Sequence, residues 1–336
     1  MKSLKLLAVV GLSLLALSAC KMNKNVASTD PVTAAKDIAV SLRENDFDRL
    51  SHIAVPPEMY AKLEAKYKDD VAKQPAPSAE ESKGFSEFLA KYTAPDAETK
   101  LFAEVQPKLA QAGPQIPMVV GMFGGMANQS IQQNDKLTPD EKTQANAALT
   151  AITKWATTAP LSDPEKAKQA IKVVVETARG LNLTTLEAAR KLSFAEVMQK
   201  AGSGFGGFRK MLAVYGFDTD KALDSVTTAK KSEDGDKAVV TASFTLLDAP
   251  IKVDVDMVKI DGHWYSKQLV DYFNAQLAKP TAEAAPMMAP EESPAANASA
   301  EMSAPASDES TAPPADEPAE PESAPAPADN GSNGGI

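Results

Sequence analysis

Near residue 224 the hydrophobic period of this chain changes. Upstream, apolar side chains recur at helical spacing: Ile38 and Leu42; Tyr60, Leu63 and Tyr67; Phe85, Phe88, Leu89 and Tyr92; Leu101, Phe102, Val105 and Leu109. Downstream, Ile251, Val253, Val255 and Met257 alternate with Lys252, Asp254, Asp256 and Val258, the period of a strand with one dry face and one wet face. Strand-like runs also cover Val226–Lys231 and Ala238–Leu247, and Asp-Gly turns stand at Asp234-Gly235 and Asp261-Gly262. Trp264, Tyr265 and Leu269 follow, and 270–278 reads as a closing helix. Nothing before residue 224 reads firmly as a strand. The fold class is therefore α+β: a mainly helical body, then a four-stranded antiparallel meander whose dry face needs helices over it.

Helix-start chemistry punctuates the first part. Asp30-Pro31 and Asp163-Pro164 each pair an N-cap with a proline suited to the first turn, the second leading to Ile171, Val174 and Val175. Thr138-Pro139-Asp140-Glu141 reads as a capping box, ahead of Leu149, Ile152 and Trp155 on an inward face. Thr184/Glu187 and Ser193/Glu196 read as two more. The two Asp-Pro starts share spacing at an offset of 133 residues, which either shared start chemistry or an internal duplication explains. The expected organisation is a helical region over 31–160 and helices plus meander over 161–278.

From residue 279 onward the text is Pro, Ala, Ser, Glu and Asp. The chain holds 35 basic and 45 acidic residues, and 11 of the acids but only one base, Lys279, lie in this tail. The body is thus charge-balanced and the net charge of −10 belongs to the tail. Such a segment buries too little apolar surface to offset ~1–2 kcal/mol per residue of backbone entropy, so 279–336 is expected to be disordered. A balanced body with an acidic tail points away from nucleic acid.

The first twenty residues read as an address. Lys2 and Lys5 precede an apolar run of 12 residues, Leu6 to Leu17, too short to cross ~30 Å of hydrocarbon. It ends in Leu17-Ser18-Ala19-Cys20, and Cys20 is the only cysteine in the chain. This resembles the lipobox of bacterial lipoproteins. The resemblance implies a signal peptide over 1–19, Cys20 acylated as the mature N-terminus, and a tether over 20–30. The residue after Cys20 is Lys21 rather than Asp. In lipoproteins of Gram-negative bacteria that implies sorting to the outer membrane, facing the periplasm. One acyl chain anchors weakly, and two or three make release negligible.

The stretch from Gly235-Asp236-Lys237-Ala238-Val239-Val240 to Lys259-Ile260-Asp261-Gly262-His263-Trp264-Tyr265 resembles the sheet end of nuclear-transport-factor-two-like (cystatin-type) envelope domains, whose last hairpin often carries Asp-Gly-x-Trp. Asp30-Pro31 through Asn45-Asp46-Phe47-Asp48 is similar to their usual first helix. The resemblance implies helices packed on a curved sheet. It selects no function, because that fold hosts enzymes and binding modules alike.

Few residues invite chemistry. One cysteine and two histidines leave no disulfide framework, no multi-cysteine metal site and no histidine relay. Gly202-Ser203-Gly204-Phe205-Gly206-Gly207 matches G-x-G-x-x-G, but a helix rather than a strand precedes it, so a helix joint or close backbone packing is the better reading. Asp218, Asp220 and Asp224 fail the EF-hand pattern and read as helix capping. Asp254 and Asp256 read as a solvated face, and His263, beside a turn, as exposed. His52 has no partner at interpretable spacing.

The most apolar stretch after the signal region is Met118-Val119-Val120-Gly121-Met122-Phe123-Gly124-Gly125-Met126. Its methionines and Gly121/Gly125 each repeat every four residues. The plainer expectation is a buried central helix approached closely by another. The sharper one is an adaptable apolar pocket formed by Met118, Met122, Phe123 and Met126, with Phe205, Phe208 and Met211 lining its other side. The expected function is a membrane-anchored, periplasm-facing, non-enzymatic lipoprotein that binds a protein or apolar ligand and needs no cofactor or metal. A structural or stress-related envelope protein acting through its acidic tail, and an envelope hydrolase, are the alternatives.

Overall fold

The computed structural model describes residues 25–279. The helices are α1 (Pro31–Glu44), α2 (Phe47–Ala54), α3 (Pro57–Lys73), α4 (Ala79–Thr93), α5 (Ala97–Ala112), α6 (Ile116–Gln133), α7 (Pro139–Thr158), α8 (Pro164–Gly180), α9 (Leu186–Arg190), α10 (Phe194–Val214) and α11 (Thr219–Asp224). Strands β1 (Thr227–Asp234), β2 (Lys237–Leu246), β3 (Ala249–Ile260) and β4 (His263–Ser266) follow, and then α12 (Lys267–Ala278). The chain is α+β and mainly helical, with the sheet after the helices, as its periodicity requires. The expected signal peptide over 1–19, Cys20 and the tail beyond Lys279 lie outside the described residues.

Caps stand where short polar side chains precede apolar repeats. Asp30 accepts the amide of Thr33 at 2.8 Å, and Asp163 accepts those of Glu165 and Lys166. Ser78/Glu81, Thr138/Glu141 and Ser193/Glu196 form complete capping boxes. The box expected at Thr184/Glu187 is displaced. Thr185 caps α9 by accepting the amide of Ala188, while Glu187 pairs with Lys191 along the helix.

The strands form an antiparallel meander in the order β1-β2-β3-β4. Asp261 and Gly262 both adopt positive φ in the last turn, the primed geometry that matches strand twist. The β2–β3 turn uses the same geometry at Leu247 and Asp248, with no glycine to mark it. On the dry face, Ala34 and Ala35 of α1 sit against Ala238, Val240, Met257 and Trp264. Two alanines on the contact stripe let the helix axis approach the sheet closely. On the wet face, Asp254 accepts from Lys231 and Thr241. β4 pairs only with Met257–Ile260, so the rest of that β3 edge would be open. α7 covers it, and Gln144 Oε1 accepts the Lys252 amide at 2.8 Å.

The remaining helices form a second layer. Ala97 and Leu101 of α5 pack on Val175 of α8, with Tyr92, Ala94 and Ile171 around them. Contacts cross residue 160 repeatedly, since α4 and α5 pack on α8, α2 on α10 and α7 on β3. Residues leading into α1 are also bound. Ala27 is buried with Ile53, Tyr265 and Val270, Ser28 O accepts the Trp264 amide at 2.9 Å, and His263 Nδ1 lies 2.7 Å from Ala27 O. Two expectations change here. His263 is partly buried against the incoming chain rather than exposed, and the polar tether expected over 20–30 is docked from Ala27 onward.

Candidate functional site

Helix α6 carries no Asp, Glu, Lys, Arg or His. Ile116, Val120, Gly124, Ala127 and Ile131 turn inward and are half-buried. Gly124 brings the backbones together, since a Cβ there would stand 3.3 Å from Thr153 Oγ1 of α7. The opposite side is open: Met118 is 63% exposed, Met122 55%, Phe123 52% and Met126 60%. No residue of α6 is buried. The expected buried central helix is therefore corrected. α6 packs mainly on α7, so one stripe is covered and the methionine stripe faces outward.

A shallow groove of about 570 Å³ runs between the two helices. Gly121, Gly124, Gly125 and Asn128 form one wall, and Leu149, Thr150, Thr153 and Thr157 the other, with Lys154 at the rim. The glycines produce it by leaving side-chain volume unfilled; nothing stands within 4 Å of a Cβ built at Gly121 or Gly125. Thr157 donates its hydroxyl to the Thr153 carbonyl of its own helix at 3.0 Å, so the threonines present methyl groups as much as hydroxyls. Ile152, expected inward on α7, is 38% exposed, and Ala151 is the buried residue there.

The other expected pocket residues do not join this surface. α10 packs on α8, α2, α11 and α3. Phe205 lies 5.2 Å from the Phe47 ring, with the Arg209 guanidinium 5.6 Å from its centroid. Phe208 points outward and Met211 is half-buried. α7 bonds to the end of α10 through Trp155, whose Nε1 donates to Tyr215 O at 2.9 Å and whose ring lies 5.0 Å from Phe217. The seven residues thus divide into a surface stripe on α6, Phe205 and Met211 half-buried on α10, and Phe208 exposed on α10. Among the described residues the two groups pack on different elements, α6 on α7 and α10 mainly on α8 and α2, and they do not line one apolar pocket.

The G-x-G-x-x-G run lies inside the unbroken helix α10, so it is neither a joint nor a phosphate loop. Gly202 is buried where another backbone approaches, and Gly207 where the Thr177 side chain does. A Cβ on Gly202 would enter the carbonyl of Asn45, and one on Gly207 would stand 2.8 Å from Thr177 Cβ. Beside this crossing, Arg209 donates to Leu42 O (2.8 Å), Arg43 O (3.0 Å) and Asn45 Oδ1 (2.9 Å), and pairs with Asp220. It satisfies the carbonyl end of α1, and burial pulls its pKa below the usual arginine value. Sequence reasoning missed this arginine. Its one signal was a cation directly after a run of glycines and phenylalanines.

Asp218 caps α11, as expected, and Asp220 and Asp224 pair with Arg43. The hydrogen bond from Arg43 holds the Asp224 carboxyl below the usual range. His52 stacks on Tyr60 at 3.9 Å. Among the described residues no group of three or more His, Cys, Asp or Glu could hold a metal ion, and no helix is long and apolar enough to cross a membrane. No family model, curated protein or solved structure matches this chain.

Proposed function

We propose that this chain is a lipid-anchored envelope protein, held in the outer membrane and facing the periplasm, that works by binding rather than catalysis. The α6–α7 hairpin is its contact surface for an apolar or protein partner. The observation that carries this reading is the single cysteine at the end of Leu17-Ser18-Ala19-Cys20, behind a basic start and a short apolar run. The docking of Ala27 supports it. Six residues lie between Cys20 and that buried position, and the seven steps, fully extended, reach at most about 25 Å. An acylated Cys20 would hold the folded body against the bilayer on a short leash. The helix α1 laid across a meander ending in Asp261-Gly262-His263-Trp264 supports the likeness to nuclear-transport-factor-two-like envelope domains.

The test is metabolic labelling with an alkyne fatty acid, followed by membrane fractionation. The parent chain should carry label and sediment with outer membrane. Cys20→Ser should lose the label and become soluble. A Cys20→Ser product still bound to membrane, or a native protein retaining Met1 in the cytosol, would refute the reading. A second reading, action through the acidic tail, rests on that tail holding the whole net charge. Removing 280–336 without any change in captured partners would eliminate it.

A further inference from the structure

We infer that the outer face of α6 lies in the headgroup boundary of the bilayer to which the protein is anchored. This inference rests on the lipid-anchor reading and names the partner of the α6–α7 surface.

Three observations carry it. The first is charge. From Leu109 to Asn134 the chain runs 26 residues without a charged side chain, while charged residues make up 24% of the whole. The window includes all of α6 and ends at Asp135 and Lys136. A solvated surface helix normally displays charges, and a surface entering hydrocarbon cannot.

The second is the gradient along the helix. Ile116–Met126 is apolar on every side, whereas Asn128, Gln129, Ser130, Gln132 and Gln133 are polar but uncharged. Eleven helical residues rise only about 16 Å, half of the hydrocarbon thickness, so the segment cannot span. An apolar leading end with an uncharged hydrogen-bonding trailing end suits oblique seating, the first in the acyl boundary and the second among headgroups.

The third is size. Met118, Val119, Met122, Phe123 and Met126 are the exposed large apolar residues of α6. A standard protein interface recruits about 20–30 residues a side, and this patch offers far fewer. It is too small to recruit a diffusing protein but suits a bilayer to which the chain is already anchored. A leash of at most about 25 Å makes docking effectively intramolecular. The exposed face carries no Lys or Arg, so docking depends on apolar burial rather than on anionic lipid.

Acylation blocks the Cys20 thiol, so Met122→Cys in the full lipidated chain provides one free thiol for an environment-sensitive dye. Lys83→Cys on α4, 76% exposed, is the control site. Both proteins are reconstituted into phosphatidylethanolamine/phosphatidylglycerol vesicles, floated on a gradient, and challenged with spin-labelled lipid. We expect flotation of both, quenching at 122 at least threefold above that at 83, and no loss of that difference in 0.5 M salt or when phosphatidylcholine replaces phosphatidylglycerol. Met118→Glu with Met126→Glu should abolish the difference while flotation and melting temperature stay the same. Flotation with equal quenching at the two sites overturns the docking inference and leaves the anchor standing. A chain that does not float overturns both. Shielding at 122 that requires a second protein rather than lipid assigns the face to a protein partner and refutes the inference.

Discussion

Gly202→Ala in α10 should destabilise the protein, whereas Gly204→Ala two residues along the same helix should stabilise it. Each change gives the helix about 0.8–1 kcal/mol of propensity. At Gly204 nothing lies within 4 Å of the new methyl group, so that gain is kept. At Gly202 the methyl would stand 3.2 Å from the carbonyl carbon of Asn45 and closer still to its oxygen. The obstacle is backbone, and it cannot rotate away. Asn45 closes α1 with φ +57, and its side chain accepts from Arg209 at 2.9 Å, so moving it also strains that bond. Overpacking of this kind costs about 1–3 kcal/mol, and weakening the Arg209 bond costs about 1 more. Net of propensity, Gly202→Ala should lose about 1–3 kcal/mol. The two variants then differ by about 2–4 kcal/mol, or roughly 10 °C in melting temperature for a body of this size. Far-UV circular dichroism on the full chain, with urea melts for the free energies, reads the difference directly. If Gly202→Ala melts at or above the parent temperature, the glycine run is not a close-packing device and the account of α10 is wrong.

Arg209→Met should cost about 3 kcal/mol, because it strands the carbonyls of Leu42 and Arg43 and the side-chain oxygen of Asn45, while Asp220 keeps Arg43 as a partner; chemical denaturation measures it, and a loss under 1 kcal/mol would show that the α1 end finds other donors. Backbone amides of Ser78, Thr138 and Ser193 hold Glu81, Glu141 and Glu196 below the usual carboxylate range, so their contribution is complete above the unfolded value of about 4.3 and fades as pH falls through the lower folded values. Melting temperature should therefore drop below about pH 4.5, and the triple Glu→Gln variant, which keeps the caps, should show a shallower acid limb; identical limbs would contradict this. Asp248→Gly should stabilise by up to about 1 kcal/mol, since φ +69 is strained for an aspartate in the β2–β3 turn, and a lower melting temperature would mean that its side chain supplies more than the strain costs.

What the sequence revealed and what it concealed follow from the range of the interactions involved. Capping is local, so Asp30, Thr138, Asp163 and Ser193 were readable three residues at a time, and the one-residue displacement to Thr185 reflects two adjacent threonines with the same chemistry. Strand alternation and the Asp261-Gly262 turn are local as well, which is why the meander was legible. The turn at Leu247-Asp248 was not, because neither residue advertises positive φ and the hairpin imposes it. Long-range facts left weaker marks. Glycine at 202 and 207 signals that something comes close, but only the fold says that it is Asn45 and Thr177. The hardest case was α6. Its composition implies burial, and apolar periodicity alone cannot distinguish a face that meets another helix from a face that meets a bilayer. The distinguishing signal was an absence over a longer window: no charge from Leu109 to Asn134 and too few neighbouring elements to surround the helix. Core helices in this protein differ on that point. α1 and α8 bury alanine and valine stripes yet keep lysine, arginine and acids on their outer faces, as a helix must when its other side meets water. α6 keeps none, so the medium on its open side is not expected to be water alone.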